Sequence, residues 1–413
     1  MIAALAGIQM IAMMSAAFAP APLQDTLSLS LAEAREMARS QAPRALAAEA
    51  RLDAARGAAR TAATYPYNPR AEVKTPGLFS PGSRGDYEAI FSQEIEWAGQ
   101  IGLRRSIGRS ADAAASADHS DEMRLFFADV DGAYHSLVAA SEKAAVYQEG
   151  ARLTRALRDA VAIQLREGQV SALEANLAEI QAARSEAAQL TVRAEVASAS
   201  AALARILGLE PTTTIRAEGL GSTPSPPPIE GLDALLAEAT QRRPDLQASE
   251  ARLEEAERVS SLAGRRVIPN LGLAAVVSRA DQLSPTAFGL RVSVGFPLWD
   301  RNQGPRQQGT ALVRLQTQET RDAELRVSAE VSVAWERVRS ARESMSLYET
   351  RVLGQARANR GLLERARAEG RIDLPTMLVL QSQLIDAEVA YWDVWLEARL
   401  AETALEVAVG RIS

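Results

Sequence analysis

Ala287 to Gly304 reads AFGLRVSVGFPLWDRNQG. From Ala287 to Leu298 the residues alternate strictly. Phe288, Leu290, Val292, Val294, Phe296 and Leu298 fall on one side; Ala287, Gly289, Arg291, Ser293, Gly295 and Pro297 fall on the other. A period of two marks a strand with two unlike faces. Tyr87 to Trp97 behaves similarly, with Tyr87, Ala89, Phe91, Ile95 and Trp97 opposing Glu88, Ser92, Glu94 and Glu96. Weaker partner strands precede each, Arg70 to Thr75 and Leu271 to Arg279, across turns rich in Pro, Gly, Ser and Asp at Phe79 to Asp86 and Asp281 to Pro285. Strands are therefore expected at about 68–77, 86–97, 269–279 and 286–298.

These hairpins belong to a duplication. PRALAAEARL (Pro43 to Leu52) is answered by PDLQASEARL (Pro244 to Leu253) at an offset of 201. Trp97 answers Trp299, REGQVSA around Gly168 answers AEGRIDL around Gly370, and Gly208 answers Gly410 at 202. The period is far longer than that of a solenoid repeat, so each copy is a whole structural half.

Between the hairpins the chain reads as helix. No proline occurs from Gly82 to Glu210, from Arg306 to Leu374, or after Pro375. Helices are expected at about 28–65, 99–165, 171–208, 230–266, 304–368 and 373–411, with turns near Gly168 and Gly370. Leu312, Leu315, Leu325, Val331, Val338, Met345, Val352 and Leu363 recur at spacings suited to a coiled-coil seam. A helix of some 60 residues would run ~90 Å, so the architecture is elongated. The resulting plan has an export signal at 1–19, a first repeat at 20–208, a Pro-rich linker at 209–230 and a second repeat at 231–413. The signal rests on an apolar run from Met1 to Phe18 that ends in small residues.

Composition narrows the chemistry. Of 413 residues 47% are hydrophobic but only 5% aromatic, and the net charge is −6 with both signs interleaved. That balance argues against a nucleic-acid surface. Without cysteine there is no disulfide, thiolate metal site or Cys nucleophile. His119 and His135 lie 16 residues apart on one expected helix, more than four turns, and cannot share a metal. No GxSxG, HExxH, P-loop or GxGxxG is present, so no catalytic, cofactor or metal residues are assigned. The chain does not read as an enzyme.

Strands with one apolar face and one small or charged face suit a transmembrane barrel, although a strand half-buried against helices alternates in the same way. Four strands cannot close a barrel, and an open edge is untenable in lipid. If the strands span a membrane, several chains must pool them.

The duplicated order of helix, two strands, long helix, turn and helix resembles the TolC family of bacterial outer-membrane efflux channels. So do FGLRVSVGFPLWDRNQG (Phe288 to Gly304), FSQEIEWAGQIGLRR (Phe91 to Arg105), RRPDLQASEARL (Arg242 to Leu253) and the turns REGQVSALEA and AEGRIDLPTML. The resemblance runs from about Leu27 to Gly410, and the EIEWAGQIGLRR wording is similar to its heavy-metal (cobalt, zinc, cadmium type) branch. It implies a mainly α fold with a small β part: a homotrimer whose protomers each give four strands to one twelve-stranded barrel, above a coiled-coil α-barrel in the periplasm. It also implies partners, namely a periplasmic adaptor (membrane fusion protein), an inner-membrane pump of RND type and outer-membrane lipid.

On that resemblance, Arg166, Glu167, Gly168, Gln169, Arg367, Glu369, Gly370 and Arg371 are expected to meet the adaptor. Family members carry a constricting ring of aspartates just past the second turn. Here the corresponding places hold Thr376 and Val379, with Asp373 and Glu174 the nearest acids. Glu88, Glu94, Glu96 and Arg291 are expected to line the barrel lumen. The competing reading is a secreted or periplasmic coiled-coil scaffold or adaptor without a pore.

Overall fold

Two prolines set the first bend of each half. Pro43 and Pro244 disfavour a helical conformation in the residue before them, and Ala42 (ψ 130°) and Arg243 (ψ 120°) are extended. Each expected first helix is thus two. In the first half these are α1 (Leu31–Gln41) and α2 (Pro43–Ala63); in the second they are α5 (Leu232–Arg242) and α6 (Pro244–Arg265). The computed structural model describes residues 26–75, 87–218, 229–279, 285–369 and 371–412. The expected signal at 1–19, the first hairpin turn, most of the second, residues 219–228 of the Pro-rich segment and Gly370 lie outside the described residues.

Each half continues through two strands into a helical hairpin. The first has β2 (Arg70–Lys74), β3 (Tyr87–Ile95), α3 (Gln100–Arg166) and α4 (Ala172–Leu207). The second has β5 (Leu271–Arg279), β6 (Ala287–Val294), α7 (Gln303–Leu347), α8 (Gly354–Ala368) and α9 (Leu374–Val409). At 67 residues α3 runs about 100 Å. The run expected as one helix over 304–368 is interrupted by a π-helical turn at Tyr348–Leu353. Two further strands, β1 (Leu27–Leu29) and β4 (Ile215–Ala217), pair in parallel across the middle of the molecule. Three residues each, they are too short to show a period, and β1 lies in the residues read as the start of a helix.

The coiled-coil seam differs from expectation. In α7 the buried positions are Thr320, Ala323, Val327, Val331, Ala334, Val338 and Ala341, spaced three or four apart. Leu315 and Leu325 face outward. Val331 and Val338 belong to both the expected and the observed seam, but the rest of it is small residues, which let α6 and α9 approach α7 closely. The main core sits at mid-height, where Phe126, Val130, Leu137, Leu203, Leu207, Ile215 and Trp395 pack together.

The halves close alike. Gly208 (φ 79°) and Gly410 (φ 86°) end α4 and α9 in the left-handed region, and each lies against the bend of its own half. A Cβ on Gly208 would sit 2.6 Å from Pro43 Cδ; one on Gly410 would sit 3.3 Å from the Arg242 and Arg243 backbone. Gly168 (φ 73°) has open space around it. We expect Gly208→Ala to destabilise most, by roughly 2–4 kcal/mol, because a clash adds to left-handed strain. Gly168→Ala should cost only about 1–2 kcal/mol, with Gly410→Ala between. Urea unfolding of the three purified variants checks the order.

Candidate functional site

Antiparallel pairing in the order β2-β3-β5-β6 makes one four-stranded sheet. Its register gathers side chains by character. Val73, Ala89, Val277 and Phe288 stand in one row across the strands, and Ala71, Phe91, Ala275 and Leu290 in another on the same face. The opposite face has rows of Arg70, Ser92, Ala274 and Arg291, and of Lys74, Glu88, Ser278 and Ala287. Phe288 and Leu290 are 81% and 89% exposed. The polar face borders a concave space of about 580 Å³ lined by Arg70, Glu72, Lys74, Ser92, Glu94 and Arg291 among others. Among the described residues β2 pairs only with β3 and β6 only with β5, so both outer edges are open.

Three of the four expected lumen residues occupy this polar face. Arg291 approaches Glu88 at 3.7 Å, and Glu94 accepts a 2.7 Å hydrogen bond from Asn270 Nδ2. Glu96 does not line the space. It lies past the end of β3, its side chain is only 2% exposed, and Arg104 on α3 donates to both of its carboxylate oxygens at 2.9 and 3.1 Å. The alternation that runs on to Trp97 conceals this break. Tyr65 reinforces it, donating to the Glu94 carbonyl at 2.6 Å and accepting from the Glu96 N–H at 3.0 Å. Trp97 Nε1 donates to the Pro269 carbonyl at 2.9 Å and ties the two hairpins together at their base.

The helix turns share the far end. Val170 and Ile372 pack on one apolar cluster with Leu157, Val161, Ala178, Met377 and Leu378. The chain reverses in the same way at both turns: Gln169 N–H bonds the Gln164 carbonyl at 2.8 Å, and Arg371 N–H bonds the Ala366 carbonyl at 2.9 Å. These are the bonds of a Schellman-type helix end. Arg166, Glu167, Gly168, Gln169, Glu369 and Arg371 are all exposed, with Arg371 paired to Glu369 at 3.0 Å. Arg367 lies on α8. Leu173 stands beside them 69% exposed, an apolar side chain that reading the turns by charge alone overlooked.

Asp373 stands at the N-terminal end of α9 with no side-chain bond to the helix and Thr376 lies in its first turn, both exposed. Glu174, the other candidate acid near these turns, lies in the first turn of α4. It forms a capping box with Ser171, whose N–H donates to its carboxylate at 2.7 Å. The Ser171 N–H and hydroxyl hold the Glu174 carboxyl below its ordinary pKa, against an upward push from burial and the negative charge of Asp373. No group of three or more metal-ligating side chains occurs among the described residues. His135 stacks edge-on against Trp395 at 5.7 Å, and burial pushes its pKa down to about 4.

Residues 235–411 match the family described as outer membrane efflux protein. The fold of the whole is that of the outer-membrane channels. It is similar to the outer-membrane channel OprN, with a TM-score of 0.74 and 19% identity over 92% of this chain and 89% of that one. Similarity to the outer membrane protein VceC from Vibrio cholerae has a TM-score of 0.74 at 17% identity, over 92% and 96% of the two chains. In sequence, 248 residues are 23% identical to the nickel-cobalt-cadmium resistance protein NccC of Alcaligenes xylosoxydans xylosoxydans. The match takes in 57% of this chain and spans about half of that relative, 54% of its length. No helix among the described residues is long and apolar enough to cross a membrane.

The junction between sheet and helices supplies a test. Glu96→Gln leaves Arg104 buried without its counter-charge and should cost roughly 3–5 kcal/mol. Glu94→Gln, in the wet concave space, should change stability by less than about 1 kcal/mol. Equilibrium unfolding of the two variants in detergent distinguishes them.

Proposed function

We propose that this protein is the outer-membrane duct of a bacterial efflux system, with its sheet in the membrane and its helices in the periplasm. The observation that carries the reading is the sheet itself: an exposed apolar face, a charged concave face, and two unpaired edges. The edge strands β2 and β6 are antiparallel to one another, because each step of β2-β3-β5-β6 reverses direction. Copies can therefore join β6 to the β2 of a neighbour and close a ring that is antiparallel throughout. Two copies would give eight strands, whose interior side chains fill. Three give twelve and leave an aqueous lumen.

A duct of this kind performs no chemistry. An inner-membrane pump, of RND type on this reading, and a periplasmic adaptor supply energy and selection. The adaptor meets the turns at Arg166, Glu167, Gly168 and Gln169 and at Arg367, Glu369, Gly370 and Arg371. The likeness to NccC supports divalent heavy metals as cargo. At the same end Asp373, with Thr376 one turn on, narrows the entrance, and Glu174 steadies the helix behind it. Residues 1–19 serve as the export signal.

Asp373→Ala tests the gate and the duct together. In planar bilayers the wild-type protein should form a low-conductance, cation-preferring channel, and the variant should conduct several-fold more with a weaker cation preference. Unchanged single-channel behaviour would remove Asp373 from the gate. No conductance from either protein would contradict the duct.

A further inference from the structure

The junction between sheet and helices carries charge of the opposite sign to the chain as a whole. Within 60–65, 96–109, 265–270 and 296–306 there are eight arginines and two acids, in a protein of net charge −6. The acids do not cancel this excess: Glu96 is buried on Arg104, and Asp300, which accepts the Asn302 N–H at 2.9 Å, is the one other acid against the remaining arginines. Arg60, Arg105, Arg265, Arg266, Arg301 and Arg306 are exposed, and no ion pair engages any of them among the described residues. Elsewhere the arginines are commonly paired, as Arg152 is with Glu149 and Arg411 with Glu230 and Glu238.

Two further observations bear on what faces this patch. Trp97, Phe296, Leu298 and Trp299 are exposed at the same level, Trp299 by 86%. Apolar and aromatic side chains beside free guanidinium groups suit the boundary between hydrocarbon and headgroups. α3 and α7, the helices that begin here, have no acid in the first turn, and α7 has Arg306 there. The positive ends of two helix dipoles thus add to the arginines instead of being offset. Arg306 and Arg105 lie three and five residues into their helices, about 5–8 Å along the axis. That is the depth of a headgroup layer.

We infer that these six arginines form a belt that binds the phosphates of anionic glycerophospholipids in the leaflet facing the helices. This rests on the sheet spanning the membrane. The belt fixes the height of the duct in the bilayer and supplies bidentate donors to phosphate oxygens.

The test uses the full-length protein purified in detergent and mixed with micelles of phosphatidylglycerol or of phosphatidylcholine, with retained lipid counted by native mass spectrometry. The wild type should hold phosphatidylglycerol at least tenfold more tightly, with a preference that weakens as salt rises. Replacing all six arginines with glutamine should abolish the preference, while R184Q/R193Q, at exposed arginines on α4, should keep it. Equal retention of the two lipids by the wild type would overturn the belt, and so would an intact oligomer of the sixfold variant that keeps the preference. In either case the duct stands. A chain that needs no detergent to stay dispersed would overturn the membrane-spanning sheet and the belt together.

Discussion

Everything in this architecture depends on where the edge hydrogen bonds of one small sheet go. A backbone N–H or C=O left unpaired in hydrocarbon costs several kcal/mol, and β2 and β6 each present a row of them. Water would satisfy those groups, but Phe288 and Leu290 make the same sheet unsuited to water. A second copy along each edge pairs those groups, so that the apolar face can stand in lipid. The four-stranded sheet is thus a fraction of a structure, and its antiparallel edges determine how the fractions join.

The helices follow from duplication and from small residues. Each half bends at its proline, runs through its hairpin and returns to a glycine that abuts the same bend, Gly208 beside Pro43 and Gly410 beside Arg243. Along α7 the buried stripe is largely alanine and valine. Such a stripe gives little burial per residue, and stability comes from its length. Of the buried charged groups, Arg124 ties the halves together by reaching the Val407 carbonyl near the end of α9, whereas Arg243 secures the bend of its own half on Asp245 and the Ala408 carbonyl.

Much of this was legible from residues alone. The period of two in Ala287 to Leu298 survives into β6, because a face divided between apolar and polar sides leaves a clear alternation. The repeat located the turns, since both need the same backbone reversal. What was not legible had physical causes. Prolines 43 and 244 sat inside the quoted repeat, yet the helices were read through them. Glu96 continues the alternation although the chain leaves the sheet there, drawn to Arg104 near the start of α3, eight residues on. Glu174 counts among the acids nearest the second turn, and Ser171, three residues back, also makes it half of a capping box. The turn residues stay a matter of proposal for a different reason: which of them touch a partner is decided by a surface outside this chain.

The central claim is that the sheet is incomplete alone and is completed by copies of itself in a membrane. The mass of the particle extracted by detergent from isolated outer membranes tests it most directly. The account predicts three chains in each particle, held together without cross-linking. A monomer or dimer recovered from the soluble fraction without detergent would contradict it and leave an elongated coiled-coil scaffold in its place.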